Sequence, residues 1–178
     1  MKNLFWQTIL KNGLYAGGIL AGYFLILYLL GVNFFSFGFL SFFIQAVVVI
    51  YFMLTGISQV RKMTEDKTIK YPSAFMVAFS IMLLGLICFI AMELFVIFVL
   101  DPAYLQSCVQ ELKIEMTKQL EANPQLAEYV KPDDITKLLE LSTYMVVFLK
   151  FLIKSLVVGA LIALIAKKKD RLTDSLNA

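Results

Sequence analysis

The sequence contains no histidine. That removes the commonest metal ligand, the usual general base near neutral pH and any histidine-ligated haem. It also excludes a catalytic triad built on an imidazole. No phosphate loop, dinucleotide fingerprint or zinc-ligand spacing occurs, and there is no Gly-x-Ser-x-Gly elbow. Cysteine is scarce: Cys88 lies inside an apolar run and Cys108 in a polar segment. They are expected at different depths, so a mutual disulfide is not expected. Charge is sparse too, with a net value of +3, and nothing in its placement points to nucleic acid. These absences lead us to expect no cofactor, no metal and no enzymatic activity.

What the chain has in excess is hydrocarbon. Hydrophobic residues make up 60% of its 178 positions, where a soluble domain is nearer half. The excess is gathered in long runs, which is the pattern of membrane spans. No polar stretch is long enough to build its own core, so residues 1–178 are expected to form a single membrane domain.

Read along the chain, residues 1–11 are a short amphipathic start. Phe5, Trp6, Ile9 and Leu10 share a helical face and Trp6 suits the headgroup level. A first span follows at about 12–32. Its apolar run is too long for a signal peptide and lacks a small-residue cleavage site, so we expect it to be retained. Residues 33–38 form a turn, and a second span covers about 39–60. A basic loop carries Arg61, Lys62, Lys67 and Lys70. Pro72 suits the first turn of a third span at about 73–100. Asp101-Pro102 reads as an N-cap followed by proline at the first helical position. Leu105, Val109, Leu112, Met116 and Leu120 then recur at steps of three and four, predicting an amphipathic helix. Asn123-Pro124 breaks it, and Lys131-Pro132-Asp133-Asp134 starts another that runs into a fourth span at about 143–166. The expected fold is therefore an all-α, four-transmembrane-helix bundle with a helical extracytoplasmic loop, 101–142, between the third and fourth helices.

Orientation follows from lysine and arginine near span ends. The start, the 61–71 loop and the tail Lys167-Lys168-Lys169 are basic. The 101–142 loop has an excess of acids. Both termini are expected in the cytoplasm and the 101–142 loop outside, in the periplasm of a Gram-negative cell.

Three ionisable side chains fall inside the runs: Glu93, Lys150 and Lys154. Each costs roughly 2.5–3.5 kcal/mol on insertion scales. At 1.5 Å per residue, Glu93 and Lys150 both lie about 10–12 Å from the outer face. Gln45 and Tyr23 are estimated at about 9–13 Å from it. These five residues are the candidate intramembrane site, read as a polar layer. Either Glu93 and Lys150 hold two helices in register, or the layer touches a substrate, proton or headgroup. On the second span, Ser41, Gln45, Thr55 and Gln59 share a face that should turn from lipid. Small residues form the other signal. Gly13, Gly17 and Ala21 make one stripe on the first span, Gly18 and Gly22 a second, and Ser155, Gly159 and Ala163 a third on the last. Such seams permit close helix approach, either within the chain or against a second copy or another membrane protein.

Several stretches together carry a resemblance. They are the Gly-rich Asn12-Gly13-Leu14-Tyr15-Ala16-Gly17-Gly18, the entry Tyr71-Pro72-Ser73-Ala74-Phe75, the Asp101-Pro102 boundary, the long outer loop and the closing run 159–169. The chain resembles a family of small integral membrane proteins from Bacteroidota known as domain of unknown function 4199, over nearly its whole length. The resemblance implies an inner-membrane protein with no assigned activity and supplies no catalytic residues. Members often sit beside a glycosyltransferase acting on lipid-linked sugar, which implies an accessory subunit. Two functions are thus expected in competition. One is a non-enzymatic accessory or scaffold subunit of a membrane complex, in contact with the bilayer and with a copy or partner. The other is a small transporter or lipid-handling protein that uses a wet cavity at the level of the polar layer.

Overall fold

The structure is a computed structural model that describes residues 2–33, 38–64, 67–122, 149 and 152–167. Helix α1 spans Lys2–Leu29. No separate interfacial segment precedes it: the amphipathic start and the first span are one helix. It stops in a Schellman turn. Gly31 takes a left-handed φ of +66°, its N–H donates to the Tyr28 carbonyl and the Val32 N–H to that of Leu27. A glycine suits that conformation because it has no Cβ to clash.

Helix α2, Gly38–Lys62, ends on Arg61 and Lys62, cations that favour the negative end of the helix dipole. Helix α3, Tyr71–Phe95, has proline in its first turn as expected. It continues as a π-helical turn, Val96–Leu100, closed by the Asp101 N–H bonding to the Val96 carbonyl at 2.8 Å. Asp101 then caps α4, Pro102–Ala122. Its carboxylate accepts the N–H groups of Ala103 and Tyr104, each at 3.1 Å, so the N-cap reading of Asp101-Pro102 holds. A further helix, here α5, covers residues 152–167.

Four spans were expected. Among the described residues three helical stretches are long and apolar enough to cross a membrane: Asn3–Leu29, Ser41–Lys62 and Tyr71–Leu100. The correction has a simple dimension behind it. Residues 152–167 rise only about 24 Å at 1.5 Å per residue, short of the roughly 30 Å hydrocarbon core. The expected start of that span, 143–148, and the second half of the 101–142 loop lie outside the described residues.

The bundle is organised on α1 and α3. A Cβ placed on Gly13 would meet Leu84, and one on Gly17 would meet Cys88 and the Gly85 backbone. The backbones touch here because glycine faces glycine. The register advances in step along both helices, so they run parallel. Helix α2 runs antiparallel to α1 and is tied to it by two polar contacts. Asn12 Nδ2 donates to Gln59 Oε1 at 2.9 Å, and the Tyr23 and Ser41 hydroxyls lie 3.0 Å apart. The third seam is also internal. Ser155, Gly159 and Ala163 are buried, and Gly159 lies against the backbone of Phe79 and the ring of Phe75.

Phe24, Ile9, Met53, Ile81, Val77 and Val96 form the fully buried centre. The periphery is apolar as well: Leu14, Ile19, Ile26, Phe43, Val47 and Val99 are each at least half exposed. In a bilayer that is the lipid-facing coat, since lipid tails do not penalise it.

Helix α4 folds back over the far end of α1. Leu105 and Val109 pack on Ile97, Tyr104 sets its ring edge-on to Tyr28 at 5.0 Å, and its hydroxyl donates to the Val32 carbonyl. Asn33 Nδ2 completes the junction, donating to the Cys108 carbonyl at 3.0 Å and to Glu111 Oε2 at 2.9 Å. Cys88 and Cys108 are both free thiols. Burial pushes the Cys108 thiol up; a hydrogen bond with Tyr104 pulls it back, and the Glu111 and Asp101 carboxylates push it further up.

Two outcomes test this packing. Gly17→Leu should destabilise the protein in detergent by about 1–3 kcal/mol through overpacking. Gly18→Leu, with nothing within 4 Å of the added carbon, should stay within about 0.5 kcal/mol; equal melting shifts would refute the α1–α3 seam. In a Cys88→Ala background, Cys108 should react slowly with a maleimide, because it is buried and short of thiolate. Asn33→Ala removes two bonds worth about 1–3 kcal/mol together, so labelling should accelerate roughly fivefold or more; an unchanged rate would dismiss Asn33 as the clasp.

Candidate functional site

The α1–α3 contact is tight where glycines meet. Farther along, α2 and α5 diverge from it and leave a partly open cavity of about 190 Å³. Its wall is hydrocarbon: Leu20 from α1, Val49 and Ile50 from α2, Met82, Leu86 and Phe89 from α3, and Val158 from α5. Among the described residues three side chains with polar atoms reach it, Gln45, Lys154 and Ser155. An apolar cavity of about 150 Å³ can stay dry and accept a benzene-sized hydrocarbon. This one is larger and opens beside the membrane-spanning helices α1, α2 and α3, so it suits hydrocarbon better than water.

The candidate layer is only partly assembled. Gln45 and Lys154 come from different helices and line the same cavity. Tyr23 stands next to them in the packing, since its partner Ser41 precedes Gln45 by one helical turn on α2. Glu93 does not line the cavity. It is 8% exposed, on the face of α3 that also buries Gly85 and Phe89. Among the described residues its carboxyl has no hydrogen-bond or ion-pair partner. Lys150 lies outside the described residues, so the Glu93–Lys150 pairing does too.

The small-residue seams divide in the same way. Gly13 and Gly17 pack on α3, and Ser155, Gly159 and Ala163 are buried on α5, but a carbon added to Gly18 or Gly22 would meet nothing within 4 Å. That stripe faces outward between exposed Leu14, Ile19 and Ile26.

Sequence reasoning passed over two residues that the structure makes prominent. Asn12 entered the sequence reading as the edge of a span and the start of the Gly-rich stretch, with no polar contact expected of it. It is 3% exposed and bridges the Thr8 carbonyl and Gln59; an asparagine just inside an apolar helix was the available signal. Asn33 joins partners 75 and 78 positions away, and nothing local announces that.

A family model described as "Protein of unknown function (DUF4199)" matches residues 11–168. No curated protein matches the chain, and no solved structure does.

Glu93→Gln tests the buried carboxyl. An amide costs less to bury than a carboxylate, and no described partner is lost. The variant should melt at or above the wild-type temperature in detergent. A fall of several degrees would mean that a cationic partner, Lys150 foremost, had been stripped of its counter-charge.

Proposed function

We propose, for a chain that belongs to the DUF4199 family, a non-enzymatic membrane subunit that holds a lipid hydrocarbon chain in the cavity between α1, α2, α3 and α5. The coarse part needs no proposal: it is a helical, multi-pass membrane protein of unknown function. The finer reading rests on one observation. The cavity is walled by hydrocarbon, is partly open, and has Gln45 and Lys154 together on its wall. A lipid tail fills such a wall at little cost, because it leaves one apolar environment for another. The amide and ammonium then favour a tail carrying an oxygen function, an ester carbonyl or an isoprenoid phosphate, over plain hydrocarbon.

A wet transport route gains no support, because the cavity is lined by hydrocarbon and Glu93 is packed away from it. The accessory role retains a specific support in the outward Gly18/Gly22 stripe, which permits close approach by a second copy or another membrane helix. The bilayer we assign is the inner membrane, with the basic end holding Lys11, Arg61 and Lys62 in the cytoplasm and α4 outside. In a complex handling lipid-linked sugars, such a subunit would present the lipid carrier to a neighbouring enzyme.

Native mass spectrometry of protein purified in mild detergent checks both parts. The wild type should carry co-purified lipid. Val49→Trp, which fills the cavity, should reduce retention severalfold while leaving the protein folded. Lys154→Met should shift the retained lipids away from anionic species. Equal lipid loads in wild type and Val49→Trp would remove the cavity reading, and a strictly monomeric, partnerless mass would remove the accessory one.

A further inference from the structure

At the opposite end of the bundle from α4, the first turns of α1 and the last turn of α2 part to form a second cleft of about 460 Å³. We propose that it is a binding site for the headgroup of an anionic phospholipid. The proposal is independent of the cavity reading above, because the two sites share no residue.

The chemistry of the cleft is one-sided. Lys11 and Lys62 stand on its two walls with Gln7 and Gln59, Leu4 and Met63 supply apolar edges, and among the described residues no carboxylate lines it. Neither lysine has an ion-pair partner among the described residues. The orientation of Gln59 follows from its neighbour. Asn12 donates one N–H to the Thr8 carbonyl at 2.8 Å, which identifies that atom as the amide nitrogen. The same nitrogen is 2.9 Å from Gln59, so Gln59 must offer its oxygen there. Its own NH₂ is left as the end not held by Asn12. The Thr8 hydroxyl is already spent on the Leu4 carbonyl at 3.0 Å. Among the described residues the cleft therefore presents ammonium and amide donors and no acid.

Position selects the source of the anion. From Asn12 to Leu29 α1 rises about 27 Å, close to the hydrocarbon thickness. Lys11 thus stands at the headgroup level. Trp6, five residues earlier on α1, is about half exposed, and the Lys11 ammonium lies 5.9 Å over the Tyr15 ring, aromatic residues of the kind found at membrane interfaces. Below the cleft, exposed Leu14 and Leu10 continue the apolar surface along which acyl chains would lie. A phosphodiester between Lys11 and Lys62 would have its tails on the lipid side and its charge among donors.

The test uses the full-length protein, with phosphatidylglycerol, phosphatidylcholine and inorganic phosphate as probes. Native mass spectrometry and thermal shift should show phosphatidylglycerol binding and stabilising the wild type, weakening with added salt. The double variant Lys11→Gln/Lys62→Gln should bind it on the order of tenfold less. The control Lys67→Gln/Lys70→Gln removes equal charge outside the cleft and should bind as the wild type does. Equal binding of phosphatidylcholine, an equal loss in the control, or stabilisation by millimolar phosphate matching that of phosphatidylglycerol would each overturn the proposal. The first two would show nonspecific attraction, and the last a soluble-anion site.

Discussion

The bundle depends on the close approach of α1 and α3. In lipid, two apolar helices gain little by leaving the solvent, because the solvent is equally apolar. What they gain is packing, and packing improves as backbones come together. Gly13, Ala16 and Gly17 on one side, with Gly85 on the other, allow that approach. The consequence reaches beyond the pair. With α1 and α3 in contact and parallel, the intervening α2 lies antiparallel along the pair, and α5 is left the other flank of α3, where Gly159 meets Phe79.

Polar groups then act as pins at defined heights. Asn12 with Gln59 and Tyr23 with Ser41 fasten α2 to α1 near its two ends. Each leaves fewer unsatisfied donors in a medium that offers none in exchange. Glu93 departs from this economy. It is buried, lies one turn before the π-helical turn that ends α3, and has no partner among the described residues. Such π-turns are frequent at functional positions, and here the turn also sets the angle at which Asp101 launches α4.

The two clefts are by-products of the same geometry, one at each level where the tight seam relaxes. One opens where α1 begins and α2 ends, so it inherits Lys11 and Lys62. The membrane-level one opens where α2 and α5 spread around Phe89 and Leu20, so it inherits a hydrocarbon wall. A difference in depth along the bundle separates a charged recognition surface from an apolar one.

The sequence by itself determined the helical class, the apolar runs that became α1, α2 and α3, the Asp101-Pro102 cap and the amphipathic α4. Those features are local: a run of hydrocarbon, a proline at a first turn and a side chain reaching its own helix need only neighbours in the chain. It also marked the small-residue seams, without saying which would close inside the chain. Tertiary structure decided that Gly13, Gly17 and Gly159 close internally while Gly18 and Gly22 face outward, since periodicity names a face and not its occupant. It decided that Gln45 and Lys154 share a cavity that Glu93 does not line, although depth counting had put Gln45 and Glu93 at one level and Lys154 one turn deeper. Depth is one coordinate, and a site also needs the rotation of each helix. It reduced the expected four spans to three among the described residues, where three helical stretches are long and apolar enough to cross. Asn33's bonds to Cys108 and Glu111 belong wholly to the folded chain, for they form only after α4 has turned back over α1.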